Sequence, residues 1–226
     1  MSSFTRLAVF DVDGTLIDSQ HNIVASMLQA CERNGVAAPT AEAIRRIIGL
    51  SLLEAVTRLL PGAEPGLIGS VVEDYKRGFQ ELRSRQDHFE PLFPGVMEAL
   101  DALEHEGWTL AVATGKSRRG LLLMIERHGF EGRFVSLQTA DDNPGKPHPA
   151  MLRRAIAEAG AEPGGTVMIG DTSYDMQMAR GAGARAVGVG WGYHTAEELL
   201  AAGAELVADS YPALVGSLSP LFVQAR

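Results

Sequence analysis

Three short apolar runs, far apart in the sequence, each end in side chains that could do chemistry. The polar residues are Asp11 and Asp13 after the first run, Thr114 after the second, and Asp171 and Asp175 after the third. If the runs are parallel strands of one sheet, their carboxyl ends meet at one edge, where open α/β sheets bind ligands. The sequence then places four carboxylates and a hydroxyl at a single site.

A cluster of this kind predicts a bound cation. Four neighbouring carboxylates repel one another and resist ionisation unless a positive charge joins them. Hard oxygen ligands suit Mg²⁺, which proteins usually hold through one or two carboxylates together with waters and substrate phosphate. We therefore expect Mg²⁺ and a phosphorylated substrate at this edge of the sheet.

The segment around Asp11 has the spacing that nucleophilic catalysis needs. In extended backbone, Asp11 and Asp13 share a face, so one carboxylate can attack while the other acts as general acid or base. Gly14 follows, where a sharp turn could present N–H groups to an anion. Lys146, in a loop stiffened by three prolines at 143–149, could pair with Asp11 and steady the developing charge.

Strands and helices must alternate to position these residues. The strand candidates are short and apolar, as expected for a parallel sheet that is buried on both faces; they are Leu7–Phe10, Leu110–Ala113, Thr166–Ile169 and Ala186–Val189. Between them lie stretches with helical spacing, namely Pro94–Glu106, Leu121–His128 and Ala150–Ala159. This alternation predicts a doubly wound, Rossmann-like α/β core.

One region interrupts the alternation, since residues 18–90 contain no convincing strand. They are too many for an ordinary crossover of about a dozen residues. The helices predicted there are His21–Asn34, Ala41–Ile48, Leu52–Leu60 and Leu67–Arg85. We therefore predict a core of residues 1–17 and 91–226 and an inserted helical cap of residues 18–90, with boundaries at Leu16–Asp18 and Phe89–Pro94.

Composition excludes several other classes of function. Lysine and arginine total 20 against 28 acidic residues, a net charge of −8 that argues against a nucleic-acid partner. No apolar stretch approaches the roughly 18 residues that cross a bilayer, and the start of the chain lacks the pattern of a signal peptide. The single cysteine, Cys31, suits a small core residue. We expect a cytoplasmic protein without membrane contact, either a monomer or a homodimer.

The ordered set of motifs resembles that of the haloacid dehalogenase-like hydrolase superfamily. The segment 11–15 is similar to its first motif, Thr114 to its second, Lys146 to its third and the segment 170–175 to its fourth. The helical insert resembles the first-type cap of phosphoglycolate phosphatase-like members. The resemblance covers nearly the whole chain.

This resemblance implies a role for each motif. Asp11 would attack phosphorus, and Asp13 would protonate the leaving oxygen and then activate water. Lys146 would orient Asp11, while Thr114 would bind a phosphoryl oxygen. The implied Mg²⁺ ligands are Asp11, the backbone carbonyl of Asp13, Asp171 and, directly or through water, Asp175, which could instead position Lys146.

Further positions are expected to face the substrate, namely Gly14, Thr15, Gly49, Gly115 and Lys116. Gly49 equally suits a helix break, and Lys116 equally suits a charge at a helix start. The substrate best matching the resemblance is phosphoglycolate, among small phosphorylated metabolites.

The sequence leaves several other activities open. Asp13 argues against dehalogenation, because a halide leaving group needs no proton. Phosphonate cleavage would need a Schiff-base lysine from the cap, and Lys76 lies in a charged stretch typical of a solvated helix face. A sugar phosphomutase, a pyrophosphatase and a nucleotidase fit the same motifs. A non-catalytic phospho-switch fits poorly, because its acceptor aspartate would follow a later strand.

Overall fold

The computed structural model describes residues 5–83 and 90–223. In this part of the chain, six parallel strands form one sheet in the order β3-β2-β1-β4-β5-β6. The strands are β1 Arg6–Phe10, β2 Trp108–Thr114, β3 Phe134–Thr139, β4 Thr166–Gly170, β5 Arg185–Val189 and β6 Leu206–Ala208. Strand β1 pairs with β2 on one side and β4 on the other. Its central place brings the residues that follow it beside those that follow β2 and β4.

Of the five described helices between β1 and β2, the first four share their own hydrophobic cluster. They are α1 Gln20–Arg33, α2 Ala41–Arg45, α3 Leu52–Leu59 and α4 Pro65–Arg83. The cluster includes Met27, Ile44, Val56 and Val71, which are all buried. We call these four helices the cap helices.

In the described part of the chain, six more helices cover both faces of the sheet. They are α5 Val96–His105, α6 Arg118–His128, α7 Ala150–Glu158, α8 Ser173–Ala182, α9 Ala196–Ala202 and α10 Tyr211–Val223. Alternate residues of β1 belong to opposite faces: Ala8 and Phe10 pack in the cluster with α5, α6 and α10. Leu7 and Val9 pack in the cluster with α7, α8 and α9. Burial on both faces explains the unbroken apolar strand, and the predicted doubly wound α/β core is confirmed.

The structure extends the sequence prediction at the sheet edges. The four predicted strands are present, but β3 and β6 were not predicted. Strand β3 alternates buried and exposed residues, with Ser136 buried and Val135 exposed, so it lacks the apolar run that identified the others. Strand β6 has only three residues, which is too short for a clear pattern.

Some helix boundaries differ from those predicted. The helix predicted from Pro94 begins at Val96, because Gly95 has a left-handed φ of 90°. The helix predicted over Ala41–Ile48 ends at Arg45, and turns lead on to Gly49 at φ 98°. The helix predicted over Leu67–Arg85 begins earlier, at Pro65, since proline is well suited to a first turn. Its predicted last two residues, 84 and 85, lie outside the described residues.

Two chain segments connect the cap helices to the sheet, and they pair with each other. The backbone N–H of Asp18 donates to the carbonyl of Pro91 at 2.8 Å, and that of Phe93 donates to the carbonyl of Leu16 at 3.0 Å. The division into core and cap at 17/18 and 90/91 stays a prediction, and Phe89, at its second boundary, lies outside the described residues. Among the helices described, none has both the length and the hydrophobicity to cross a membrane.

Candidate active site

Three of the predicted carboxylates meet at the carboxyl edge of the sheet. Asp11 directly follows β1, Asp171 follows β4, and Asp175 lies in the first turn of α8. One oxygen from each lies within 4.8 Å of the others, and all three side chains are buried. Because carboxylate oxygens are the donors that Mg²⁺ prefers, this cluster can hold a divalent cation.

Lys146 lies between two members of this cluster. Its Nζ is 2.8 Å from Oδ1 of Asp11 and 2.6 Å from Oδ1 of Asp175. Burial raises the pKa of Asp11 to about 7; the Lys146 ammonium opposes that rise, and the Asp175 carboxylate adds to it. Burial would lower the pKa of Lys146, but the two carboxylates outweigh it and raise that pKa. The lysine is therefore a fixed positive charge beside Asp11.

Hydrogen bonds fix the orientation of the other two carboxylates. Oδ2 of Asp175 accepts from the backbone N–H of Thr172 at 3.1 Å and from its hydroxyl at 2.7 Å. Oδ1 of Asp171 accepts from the Thr15 hydroxyl at 2.9 Å, and Oδ2 accepts from the backbone N–H of Tyr193 at 3.0 Å. Burial and the negative charges of Asp11 and Asp175 still raise the pKa of Asp171 well above its usual range. A bound cation would offset this repulsion between the buried carboxylates.

The turn after Asp13 requires glycine. Gly14 has φ 87°, and a Cβ there would lie 2.3 Å from Oδ2 of Asp171. The next residue, Thr15, is fully buried, and its carbonyl accepts from Trp191 Nε1 at 3.1 Å and from the Tyr211 hydroxyl at 2.8 Å. Gly14 and Thr15 thus lie against the carboxylate cluster and shape its wall.

The carboxylate of Asp13 takes part in a different set of contacts. Its Oδ1 accepts from the Ser19 hydroxyl at 2.6 Å and lies 2.6 Å from Lys116 Nζ, which is also 3.5 Å from Glu90 Oε1. Burial would raise the pKa of Asp13, but Lys116 and Ser19 outweigh it and hold that pKa below its usual value. The side chain of Asp13 is therefore outside the three-carboxylate cluster.

The loop after β2 lies against the loop between α2 and α3. The hydroxyl of Thr114 accepts from the backbone N–H of Lys116 at 3.1 Å. A Cβ on Gly115 would lie 2.6 Å from the carbonyl oxygen of Leu50 and 2.7 Å from that of Gly49. The absence of side chains at Gly49 and Gly115 lets the cap helices and the sheet approach closely.

A cavity of about 650 Å³ opens between the cap helices and the carboxyl edge of the sheet. Asp11, Asp13, Thr114 and Lys116 line it on the side of the sheet. Lys76 also lines it, but its exposed ammonium pairs with Glu73 at 2.7 Å, as the sequence indicates for a solvated helix face. Gly49 and Gly115 line the cavity as well. The other predicted site residues do not line it: Gly14, Thr15, Lys146, Asp171 and Asp175.

Several residues of the site were not predicted from the sequence. Trp191 and Tyr193 follow β5, so the rule that ligand sites occupy strand ends could have found them. Thr172 lies inside the fourth motif. Ser19 and Glu90 carry no such signal, because each is an isolated polar residue close to a cap connection.

Comparisons with known proteins agree with this geometry. The family model described as "Haloacid dehalogenase-like hydrolase" matches residues 8–189. The chain is 36% identical to "Probable phosphatase IndB" of Dickeya dadantii (strain 3937), across 95% of this chain and 94% of that protein. It is 29% identical to "Phosphoglycolate phosphatase" of Vibrio vulnificus (strain YJ016), across 93% and 94% of the two chains.

A solved structure shows the same architecture. The structure of a hydrolase from Pseudomonas syringae superposes with a TM-score of 0.85 at 26% identity, and covers 96% of this chain and 99% of that one. The resemblance seen in the motifs is thereby confirmed along nearly the whole sequence. The chain belongs to the haloacid dehalogenase-like hydrolase family.

Proposed function

We propose that this protein is a Mg²⁺-dependent phosphatase that hydrolyses the phosphomonoester of a small metabolite through an aspartyl-phosphate on Asp11. The observation that carries the proposal is the pairing of buried Asp11 with Lys146, next to two further carboxylates and at the edge of a cavity. The family and the phosphatase names of its relatives support the same reaction.

In the first step, a carboxylate oxygen of Asp11 attacks phosphorus, and the bond to the leaving oxygen breaks. Lys146 keeps Asp11 oriented and balances its charge. Asp13 delivers to the leaving oxygen the proton that it took from water in the second step of the preceding turnover, so the product departs as an alcohol. Thr114 and the backbone around Gly14 would bind the phosphoryl oxygens.

In the second step, water attacks the phosphorus of the aspartyl-phosphate, and Asp13 takes the proton of that water. The bond to Asp11 breaks, which releases phosphate and restores the carboxylate. The contacts of Asp13 with Lys116 and Ser19 favour its ionised form, which is the form that a general base needs. The described arrangement therefore suits the water-activating step.

The donor set fits Mg²⁺. Asp11 and Asp171 would hold the ion with the backbone carbonyl of Asp13, while Asp175, already paired with Lys146 at 2.6 Å, would act through that lysine or through water. When bound, Mg²⁺ supplies positive charge that neutralises the phosphoryl oxygens and the clustered carboxylates.

Phosphate release under controlled metal conditions tests this proposal. The purified protein is assayed with phosphoglycolate, the substrate expected from the resemblance, and with a panel of sugar phosphates, nucleotides and pyrophosphate. We expect one phosphate released per phosphomonoester consumed, loss of turnover with EDTA and recovery with Mg²⁺. A product that keeps its phosphate would instead indicate a phosphomutase.

An isosteric variant tests the nucleophile. Asp11→Asn should abolish turnover while circular dichroism remains that of the parent, because the amide keeps the shape and loses the nucleophilic charge. Turnover that survives in this variant would refute the role of Asp11, and activity independent of metal would refute the role of Mg²⁺.

A further inference from the structure

The cavity above Asp11 is larger than a glycolate leaving group requires. Its volume of about 650 Å³ equals that of roughly 20 water molecules in the liquid. It falls within the range of roughly 300–1,000 Å³ that is typical of sites for drug-sized ligands. A leaving group with only two carbons would leave most of this space to water.

Part of the cavity side formed by the cap helices is apolar, although Lys76, Gln80 and Arg83 of α4 also line the cavity. Residues of α1 and α4 line it there, including Met27, Val72, Tyr75 and Phe79. The rings of Tyr75 and Phe79 lie 5.7 Å apart at 36°, so they form a continuous aromatic surface. The opposite side of the cavity, formed by the sheet, is different because the predicted catalytic residues lie there.

Lys116 and Arg83, near this surface, already have partners, whereas the exposed Arg119 also lines the cavity. Lys116 is buried and pairs with Asp13 and Glu90. The guanidinium of Arg83 lies over the Phe79 ring, 4.4 Å from its centroid. A compact anionic leaving group would therefore compete with Asp13 for Lys116 or have to reach Arg83 or Arg119.

We propose that the preferred substrate is a phosphomonoester of an alcohol with an apolar body, aliphatic or aromatic, that packs against Met27, Val72, Tyr75 and Phe79. The inference rests on the proposed function, because it concerns the leaving group of the same phosphatase reaction. Burying each methylene of such a body stabilises the bound state by about 0.8 kcal/mol, or roughly fourfold in affinity.

A homologous series of alkyl phosphates tests the inference while the chemistry stays constant. Ethyl, butyl and hexyl phosphate have leaving alcohols of similar acidity, so kcat/KM reports how the alkyl chain is bound. We expect kcat/KM to rise at least about tenfold from ethyl to hexyl phosphate, and hexyl phosphate to exceed phosphoglycolate. A flat series, or a preference for phosphoglycolate over hexyl phosphate, would overturn the inference.

Two variants of Tyr75 test whether the aromatic surface of Tyr75 and Phe79 causes the dependence of kcat/KM on chain length. Tyr75→Ala removes a ring from the surface, so the hexyl-to-ethyl ratio of kcat/KM should fall severalfold. Tyr75→Phe keeps the ring and should keep the ratio, and Val135→Ala, at an exposed residue of β3, should keep it as well. An unchanged ratio in folded Tyr75→Ala would count against this surface.

The two proposals can fail separately. If every phosphomonoester releases phosphate only with Mg²⁺ but chain length has no effect, the apolar-substrate inference fails and the phosphatase stands. If no phosphomonoester, phosphoglycolate included, is hydrolysed with Mg²⁺ present, the proposed function itself fails.

Discussion

The ammonium of Lys146 lies 2.8 Å from Oδ1 of Asp11, and both side chains are enclosed by the protein. Asp11 stands at the end of β1, whereas Lys146 lies in the loop between β3 and α7. Buried ions of opposite sign depend on each other, because removing one leaves an uncompensated charge. This pair is consequently the electrostatic centre of the proposed reaction.

Removing the lysine should slow the reaction strongly. Lys146→Ala leaves Asp11 and Asp175 without their shared cation, and losing one such electrostatic donor typically costs about 3 kcal/mol of barrier, or a factor of roughly 100 in kcat. Steady-state phosphate release measures the effect. Arg154→Ala, at an exposed surface ion pair outside the cavity, is the matched control. A loss below about tenfold would show that Lys146 does not act on the reacting group.

The metal-free protein should lose stability as pH rises from 5 to 8. The pKa of Asp11 is raised from 3.8 to about 7, so folding favours the protonated acid. Its favourable contribution is complete below the unfolded pKa and is lost as pH rises through about 7. Thermal unfolding in EDTA measures this, and Mg²⁺ should stabilise the protein more at pH 8 than at pH 5.

Asp11→Asn is the control for that pH dependence. Asparagine does not titrate, so the variant in EDTA should show a smaller fall in unfolding temperature between pH 5 and 8. An equal fall in parent and variant would mean that another group controls the stability in this range.

Gly14→Ala should damage the site beyond its effect on the backbone. The left-handed φ of 87° costs alanine roughly 1–2 kcal/mol, and the new Cβ would also meet the Asp171 carboxylate. Gly129→Ala is the matched control, because Gly129 has φ 68° with open space around it. We expect both variants to be less stable in denaturant unfolding, but only Gly14→Ala to lose Mg²⁺-dependent activity. Equal activities would contradict the clash.

Thr15→Val should weaken metal binding without removing any proposed ligand. Its hydroxyl donates to Oδ1 of Asp171 at 2.9 Å, and losing a partner that orients a ligand typically costs about 10–100-fold in metal affinity. The rise in unfolding temperature with Mg²⁺ concentration measures that affinity. Thr166→Val, which removes a hydroxyl bonded to the carbonyl of Glu162 at 2.9 Å, is the matched control. Equal affinities in the two variants would contradict this role of Thr15.

The arrangement of the sheet could be predicted because burial on both faces leaves a strong pattern. The strand ending at Phe10 is an unbroken apolar run between two neighbouring strands, and the polar residues after it stand out. Strand β3 escaped prediction because an edge strand tolerates exposed residues such as Val135. Helix α4 begins before the predicted Leu67, because Pro65 is well suited to a first helical turn.

The sequence alone determined which residues could do chemistry and that Asp11, Asp13, Lys146 and Asp171 belong to one motif set, since residue types and order are local properties. Only the tertiary structure decided where each side chain lies. It directs Asp13 to Lys116 and Ser19, whereas Asp175 lies beside Lys146. Such contacts join residues far apart in the chain, and they depend on how the helices pack rather than on any local pattern. For the same reason, only the fold reveals the apolar cavity wall of Tyr75 and Phe79.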